Sequence, residues 1–296
     1  MKYFSLFAGI GGLEYGAHKR GFECAGISEI RESSIKIYKK NYGEVQNFGD
    51  ITKIVPAELP DFNILTGGFP CQSFSLAGRR GGFADRRGKM IFYIYDILVE
   101  KRPDFFVLEN VKGISTHDGG NTIKKVMELL TDAGYYVRVV LLNSANYGSA
   151  QARERMIFLG SRDFNFPVKY PEIVDDTKTF KDVREKDVEF AWLKRGPRVE
   201  KKLRHLNGFN FQMIGDYDKT GTVMTDGGRG NMVIWEKDAF RYLTPLECER
   251  LQGFPEGWTE GVSQGDRYFA LGNAVSCHMS DYLFNNYLEG LWFNVK

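Results

Sequence analysis

Tyr3-Phe4-Ser5-Leu6-Phe7-Ala8-Gly9-Ile10-Gly11-Gly12 is the stretch that decides the architecture. An apolar run of strand length feeds straight into a glycine-rich turn, and Leu13 to Arg20 then has the spacing of a short helix. Glycines at such a turn let a ligand approach the backbone, while free N–H groups at the start of a helix face it. The turn suits a dinucleotide or S-adenosylmethionine alike, because the Gly-x-Gly-x-x-Gly spacing of the dinucleotide fingerprint is absent.

Outward from this unit, apolar runs alternate with amphipathic stretches through the first half of the chain. Further strands are expected at Glu23 to Ser28, Phe62 to Leu65, Phe105 to Leu108, Val137 to Leu142 and Met156 to Leu159. Helices are expected at Glu32 to Asn41, Lys89 to Lys101 and Thr122 to Ala133. This alternation predicts an α/β fold, doubly wound, with a parallel sheet covered by helices. After Arg162 the chain turns charged and proline-bearing, with Pro167, Pro171 and Pro197 and little periodicity, which predicts a second, smaller domain. Thr244-Pro245-Leu246-Glu247 has the capping-box pattern of a helix start, ending near Gly253. A last helix from about Ser276 to Leu288 carries Met279, Leu283 and Tyr287 on one stripe and is expected to pack on the first domain. The expected division is 1–162 completed by 265–296, with 163–264 as the smaller unit.

The 296 residues carry a net charge of +2, which neither demands nor excludes a polyanionic partner. Cys24, Cys71, Cys248 and Cys277 have neither zinc-site spacing nor the density of a disulfide scaffold, which points to a reducing cytoplasm. No apolar stretch reaches the length a bilayer requires, and the amino terminus lacks a signal-peptide core.

The chemistry gathers after the expected strands. Cys71 lies in Pro70-Cys71-Gln72, just beyond the third of them, where an open α/β sheet keeps its ligands. A lone cysteine is otherwise most often a small buried hydrophobe. Glu29, ending the second strand, suits a pair of ribose hydroxyls, and Asp50 suits an adenine amine. Glu109 ends the run Phe105 to Leu108, where a carboxyl group can exchange a proton with a heterocycle. Gln151-Ala152-Arg153-Glu154-Arg155 puts two guanidinium groups on one face of an extended segment, an arrangement that calls for an anion or carbonyl oxygen. The segment from Ser73 to Lys89 is rich in glycine and arginine, and Lys194, Arg195, Arg198, Lys201, Lys202 and Arg204 form a basic cluster suited to phosphates.

In order and spacing, these residues resemble the cytosine-C5 DNA methyltransferase family. The likeness runs through Phe7 to Gly12, Glu29, Asp50, Pro70-Cys71-Gln72, Glu109-Asn110-Val111, Gln151-x-Arg153-x-Arg155, Arg241 to Pro255 and Gly272-Asn273-Ala274-Val275. It implies a Rossmann-like mixed sheet of the S-adenosylmethionine-dependent methyltransferase fold, with 163–264 as a target-recognition domain. It implies S-adenosylmethionine as methyl donor and S-adenosylhomocysteine as product, held by Phe7, Gly9, Ile10, Gly11, Gly12, Glu29, Ile30, Asp50, Ile51, Pro70, Asn273 and Val275. Catalysis falls to Cys71, Glu109, Arg153 and Arg155: the thiolate adds to C6 of a flipped cytosine, Glu109 serves N3, and the arginines bind O2 and orient the Cys71 loop. Duplex DNA is the implied partner, contacted through Gln72, Ser75, Arg79, Arg80, Arg87, Thr222, Gly227, Gly228 and Arg229. A monomer acting in the cytoplasm on nucleoid DNA, with a cognate restriction endonuclease acting separately, completes the expectation. Three alternatives stay open: a tRNA cytosine-C5 methyltransferase, although its Cys-Phe-Thr signature is absent here; a nicotinamide-dependent oxidoreductase, which gives no reason for Cys71, Glu109 and the arginine pair together; and a degenerate, non-enzymatic DNA-binding relative, which should have lost one of Cys71, Glu109 or Arg155, none of which is missing.

Overall fold

The computed structural model describes residues 1–70, 90–164, 172–186, 188, 193–194, 212–227, 232–236 and 239–286. Six strands form the main sheet: β1 (Lys2–Leu6), β2 (Glu23–Ser28), β3 (Ile64–Gly68), β4 (Phe105–Val111), β5 (Tyr136–Asn143) and β6 (Glu154–Ser161). Their order is β2-β1-β3-β4-β6-β5. All neighbours up to β4 run parallel, and β6 lies antiparallel to both β4 and β5. The sheet is therefore mixed and doubly wound. Its order reverses at β1, which places the β1 and β3 loops at the crevice where such sheets bind ligands.

The central strands are apolar on both faces because helices cover both. On one face, α1 (Tyr15–Lys19) and a carboxyl-terminal helix pack over Tyr3, Ile64, Val107 and Ile157. On the other, α3 (Met90–Lys101) and α4 (Asn121–Asp132) cover Phe4, Leu65, Phe106 and Phe158. In α4 the buried Thr122, Val126 and Leu130 recur every four residues, the stripe a single covered face demands. Helix α2 (Glu32–Tyr42) covers the β2 side through Tyr38. The carboxyl-terminal helix meets α1 closely, with Ser280 Oγ accepting from Gly16 N at 2.8 Å and donating to the Leu13 carbonyl at 2.6 Å.

Two strands run past their apolar signal. β3 extends over Thr66-Gly67-Gly68, because its backbone is paired with β1 on one side and β4 on the other. β4 continues through Glu109 to Val111, so Glu109 sits within a strand, opposite Gly68 and Ile157, rather than just beyond one.

A short α5 (Phe180–Val183) precedes a second sheet of β7 (Leu193–Lys194), β8 (Gln212–Ile214), β9 (Met232–Glu236) and β10 (Ala239–Arg241), in the order β7-β10-β9-β8. Three helices close the described chain: α6 (Pro245–Gln252), α7 (Gln264–Asn273) and α8 (Cys277–Asn286), the last being the partner of α1. The capping box of α6 is complete, and Gly253 ends it in the left-handed conformation.

Among the described residues, the second sheet shows no core separate from that of its neighbours. Ile214, Val223 and Ile234 share one apolar interior with Ile10 and Ile37 of the first unit and with Leu251, Phe254 and Trp258. Trp258 Nε1 donates to the Ile10 carbonyl at 3.0 Å, and Asn41 Nδ2 to the Trp258 carbonyl at 2.9 Å. The packing thus joins α6 and the turn after it both to the first unit and to the second sheet. No helix among the described residues is long and apolar enough to cross a membrane.

Candidate active site

The carboxyl ends of β1 to β4 bring the chemistry together. Glu109 in β4 and Arg155 in β6 lie on one face of the sheet, and Arg155 Nε meets Glu109 Oε1 at 2.7 Å, with only 11% and 12% of the side chains exposed. Gly68 makes this possible, since a Cβ there would stand 3.1 Å from Glu109 Oε2. Burial pushes the Glu109 carboxyl above its ordinary pKa, and the guanidinium groups of Arg155 and Arg153 pull it back only in part. A carboxyl whose pKa is raised takes up a proton more readily than a free one and is suited to hand it to a ring nitrogen.

The neighbouring Asn110 is buried, and its Nδ2 donates to the Phe69 carbonyl at 2.8 Å. That bond ties the tip of β4 to the chain leaving β3, which runs through the exposed Pro70 into Cys71. Cys71 itself, with Gln72, Ser75, Arg79, Arg80, Arg87, Gly228 and Arg229, lies outside the described residues, as do the Ser73 to Lys89 segment and most of the basic cluster.

The two arginines divide their work. Arg155 lines a cleft of about 350 Å³ with Val111, Asn143, Ala152 and Thr222. Its Nε is used on Glu109 and its Nη1 on the Glu154 carbonyl, leaving Nη2, among the described residues, as a donor for a carbonyl oxygen. Arg153 is different from expectation. It is 1% exposed, and its guanidinium donates to the carbonyls of Val223 at 3.1 Å, Gly272 at 2.9 Å and Ala274 at 2.8 Å. Both terminal nitrogens of Arg153 are bonded to backbone carbonyls, while its buried Nε has no hydrogen-bond partner among the described residues, so most of the guanidinium serves to hold the junction together.

Sequence reading missed the rest of this junction. The buried Gln151 accepts from Val223 N at 2.8 Å and donates to Gln252 Oε1 at 3.0 Å, while Gln252 donates to the Leu271 carbonyl at 2.7 Å. Gln151 and Gln252 belong to the quoted motifs, and their amide side chains in otherwise charged or apolar company are the available hint. Their partners are not deducible from local pattern.

On the other side of β1, the glycine turn has φ of +55° at Gly9 and +84° at Gly11, and Phe7 adopts +53°, a strained value for a bulky residue. Glu29 accepts from Gly9 N at 2.8 Å through Oε2, and from Ile30 N and Arg31 N at 2.9 and 2.8 Å through Oε1. Three N–H donors fix this carboxylate and leave one lone pair, on Oε2, to accept from a ribose hydroxyl. Beside it Ile30 is 73% exposed, an apolar side chain that a flat heterocycle would cover. Asp50 is held by Thr52 N and Oγ1 through Oδ1, which lowers its pKa and leaves Oδ2 for an amine.

These features fit an adenosine. Ile10, Ile51 and Val275, expected at the cofactor, have side chains packed in the interior instead, because the turns that carry them also close the core. A Cβ on Gly12 would stand 2.2 Å from the Val275 carbonyl, so this glycine serves the close approach of the two turns. Asn273 is exposed and donates to the Phe269 carbonyl.

Of the residues expected on DNA, Thr222 lies at the cleft, with its hydroxyl donating to the Ala152 carbonyl at 3.2 Å. Gly227 does not face outward. It is buried at φ +71°, and a Cβ there would come within 2.3 Å of the Tyr268 ring, so it is required by the turn. Among the described residues no group of His, Cys, Asp and Glu has the makings of a metal site.

The family model of C-5 cytosine-specific DNA methylases matches residues 1–289. The chain is 36% identical to the Type II methyltransferase M.HpaII of Haemophilus parainfluenzae, covering 93% of this chain and 85% of that protein. It is 37% identical to the Type II methyltransferase M1.ScrFI of Lactococcus lactis subsp. cremoris, covering 93% and 75%. In three dimensions it resembles the Dnmt2 methyltransferase of S. pombe, with a TM-score of 0.80 at 20% identity over 98% of this chain and 99% of that one. With its mixed sheet, its buried Glu109–Arg155 pair and a family match that runs almost from end to end, the chain belongs to the C-5 cytosine-specific DNA methylase family.

Proposed function

We propose that this chain is a sequence-specific DNA (cytosine-5-)-methyltransferase acting on a cytosine flipped out of duplex DNA. The observation that carries the reading is the Glu109–Arg155 pair: a carboxyl with a raised pKa and a guanidinium with a donor to spare, at the wall of a cleft and one hydrogen bond from the loop that leads to Cys71. Glu29, the exposed Ile30 and Asp50 would hold the adenosine half of S-adenosylmethionine. When bound, that group supplies an electrophilic methyl carbon.

Cytosine C5 is a weak nucleophile by itself. Addition of the Cys71 thiolate to C6 forms a C–S bond and pushes an electron pair toward C5. Glu109 gives its proton to N3, which keeps the ring from accumulating charge, and Arg155 donates to O2. Once C5 carries its new substituent and loses its proton to a base, the electron pair expels the thiolate and N3 returns its proton to Glu109, which restores the ring, Cys71 and the carboxylic acid. Extruding the base costs a few kcal/mol, which protein contacts must offset. We place recognition in the second sheet at 193–241, and catalysis in 1–162 together with α6 to α8. The Type II names of the relatives support a cognate restriction endonuclease as a separate partner.

The test is incubation with labelled S-adenosylmethionine and either duplex DNA or tRNA, followed by mapping of 5-methylcytosine. Label in DNA is expected, lost entirely in Cys71→Ser, and DNA carrying 5-fluorocytosine should trap a covalent adduct. Label confined to tRNA would overturn the substrate, and failure of the active enzyme to form an adduct would overturn C6 addition.

A further inference from the structure

Arg31 follows Glu29 and Ile30 directly, yet its side chain turns away to a helix more than 230 residues later in the chain. Its Cζ lies 3.7 Å above the centroid of the Phe269 ring. Its Nη2 meets Asp266 Oδ1 at 2.8 Å, and its Nε donates to Ser33 Oγ at 3.1 Å, which itself donates to the same Asp266 oxygen at 3.1 Å. The other oxygen of Asp266 accepts from Ser263 Oγ, the N-cap of α7, at 2.6 Å. One guanidinium is thus stacked on an aromatic face and bonded at its edge, a planar fit that a lysine ammonium cannot reproduce.

The helix that receives it is a fixed anchor. Tyr268 is buried and donates to the Leu243 carbonyl at 2.7 Å. At the far end of α7, the carbonyls of Gly272 and Ala274 are held by Arg153. At the near end, the Arg31 backbone N–H is one of the three donors that orient the Glu29 carboxylate. Fixing the Arg31 side chain therefore fixes that N–H, the carboxylate it points at, and the angle at which Ile30 stands out of the loop.

We infer that Arg31 is a positioning residue for the adenosine half of the cofactor, clamping the Glu29–Ile30 loop to α7 through Asp266 and Phe269. The inference rests on the reading of Glu29 and Ile30 as adenosine contacts. Without the clamp the loop must be ordered at the moment of binding, so affinity falls while chemistry at the bound base is untouched.

The experiment measures binding of S-adenosylhomocysteine and of 5′-methylthioadenosine by calorimetry to the full chain and to Arg31→Ala, Arg31→Lys and Phe269→Leu, with thermal melting as a check on folding. Arg31→Ala should weaken both ligands about three- to tenfold and equally, because the two share only the adenosine and its sulfur. Arg31→Lys and Phe269→Leu should lose less, and KM for the methyl donor should rise with kcat unchanged. The loss should shrink as salt is added, since the ion pair is partly exposed. Full-strength binding by a folded Arg31→Ala protein overturns the clamp alone. No binding of either ligand by the unaltered protein overturns the adenosine reading and the clamp with it.

Discussion

Two carboxylate–guanidinium pairs, each closed at 2.7 Å, do opposite work in this molecule. Arg241 and Glu247 join β10 to α6 and are 1% and 0% exposed. Both guanidinium nitrogens meet both carboxylate oxygens, and Thr244 N and Glu185 N donate to the same carboxylate at 2.9 and 3.1 Å. Every lone pair with a structural task is taken. Glu109, by contrast, has Arg155 as its one hydrogen-bonded partner among the described residues, contacted through a single nitrogen, and burial holds its pKa up. A buried carboxylate that is fully bonded is a rivet. One that is partly bonded remains available for proton transfer, and it weakens the fold to remain so.

Replacing Glu109 with Gln should have the largest effect, lowering kcat by roughly 10²- to 10⁴-fold as measured by steady-state methylation. Because the raised pKa makes the protonated acid the working form, kcat of the native enzyme should fall as pH rises through that value. The Gln variant should lack that limb. Stability carries the same signature. Below the ordinary Glu pKa of about 4.3 both folded and unfolded states hold the proton, whereas between that value and the raised one only the folded state does. The native protein therefore loses this contribution to stability as pH rises through the folded pKa. Chemical denaturation over a pH series should find Glu109→Gln gaining on it over the same window. If the variant loses stability there instead, the contrast between the two pairs is wrong.

Arg241→Ala comes next, leaving Glu247 buried without its counter-charge at a cost of about 3–5 kcal/mol in urea unfolding. The fraction that folds should retain kcat, which a role in catalysis would not allow. The smallest effect belongs to the cap beside this pair. Thr244 Oγ1 accepts from Glu247 N at 3.0 Å, so Thr244→Ala should cost about 1 kcal/mol and add less than its full value in the Arg241→Ala background, because the two share Glu247.

Carboxylates that follow an apolar run, such as Glu109 and Glu29, were legible because the run marks a strand and open α/β sheets gather function toward its carboxyl end, although β4 continues two residues past Glu109. The capping box at Thr244 was legible for a similar reason, its hydrogen bonds spanning three residues. Arg153 was not. Its carbonyl partners are 70, 119 and 121 residues away, and alternation with Arg155 could not say that its terminal nitrogens would be taken up by them. Gly227 failed in the same way, because a glycine needed for space beside Tyr268 looks in sequence like a glycine needed by a flexible loop.

Apart from the second sheet, α5, α7 and the antiparallel setting of β6, the chain by itself determined its strands and helices, the α/β class, the glycine turn and the carboxylate that follows the apolar run of β4. All of these follow from periodicity and from contacts a few residues long. The tertiary structure alone decided which arginine faces the cleft, that the second sheet shares an apolar interior with Ile10 and Ile37 of the first unit, and that Arg31 is tied to Phe269. Those outcomes depend on which distant groups arrive to be buried together, and the free energy of burying a charge is set by the partners it finds there.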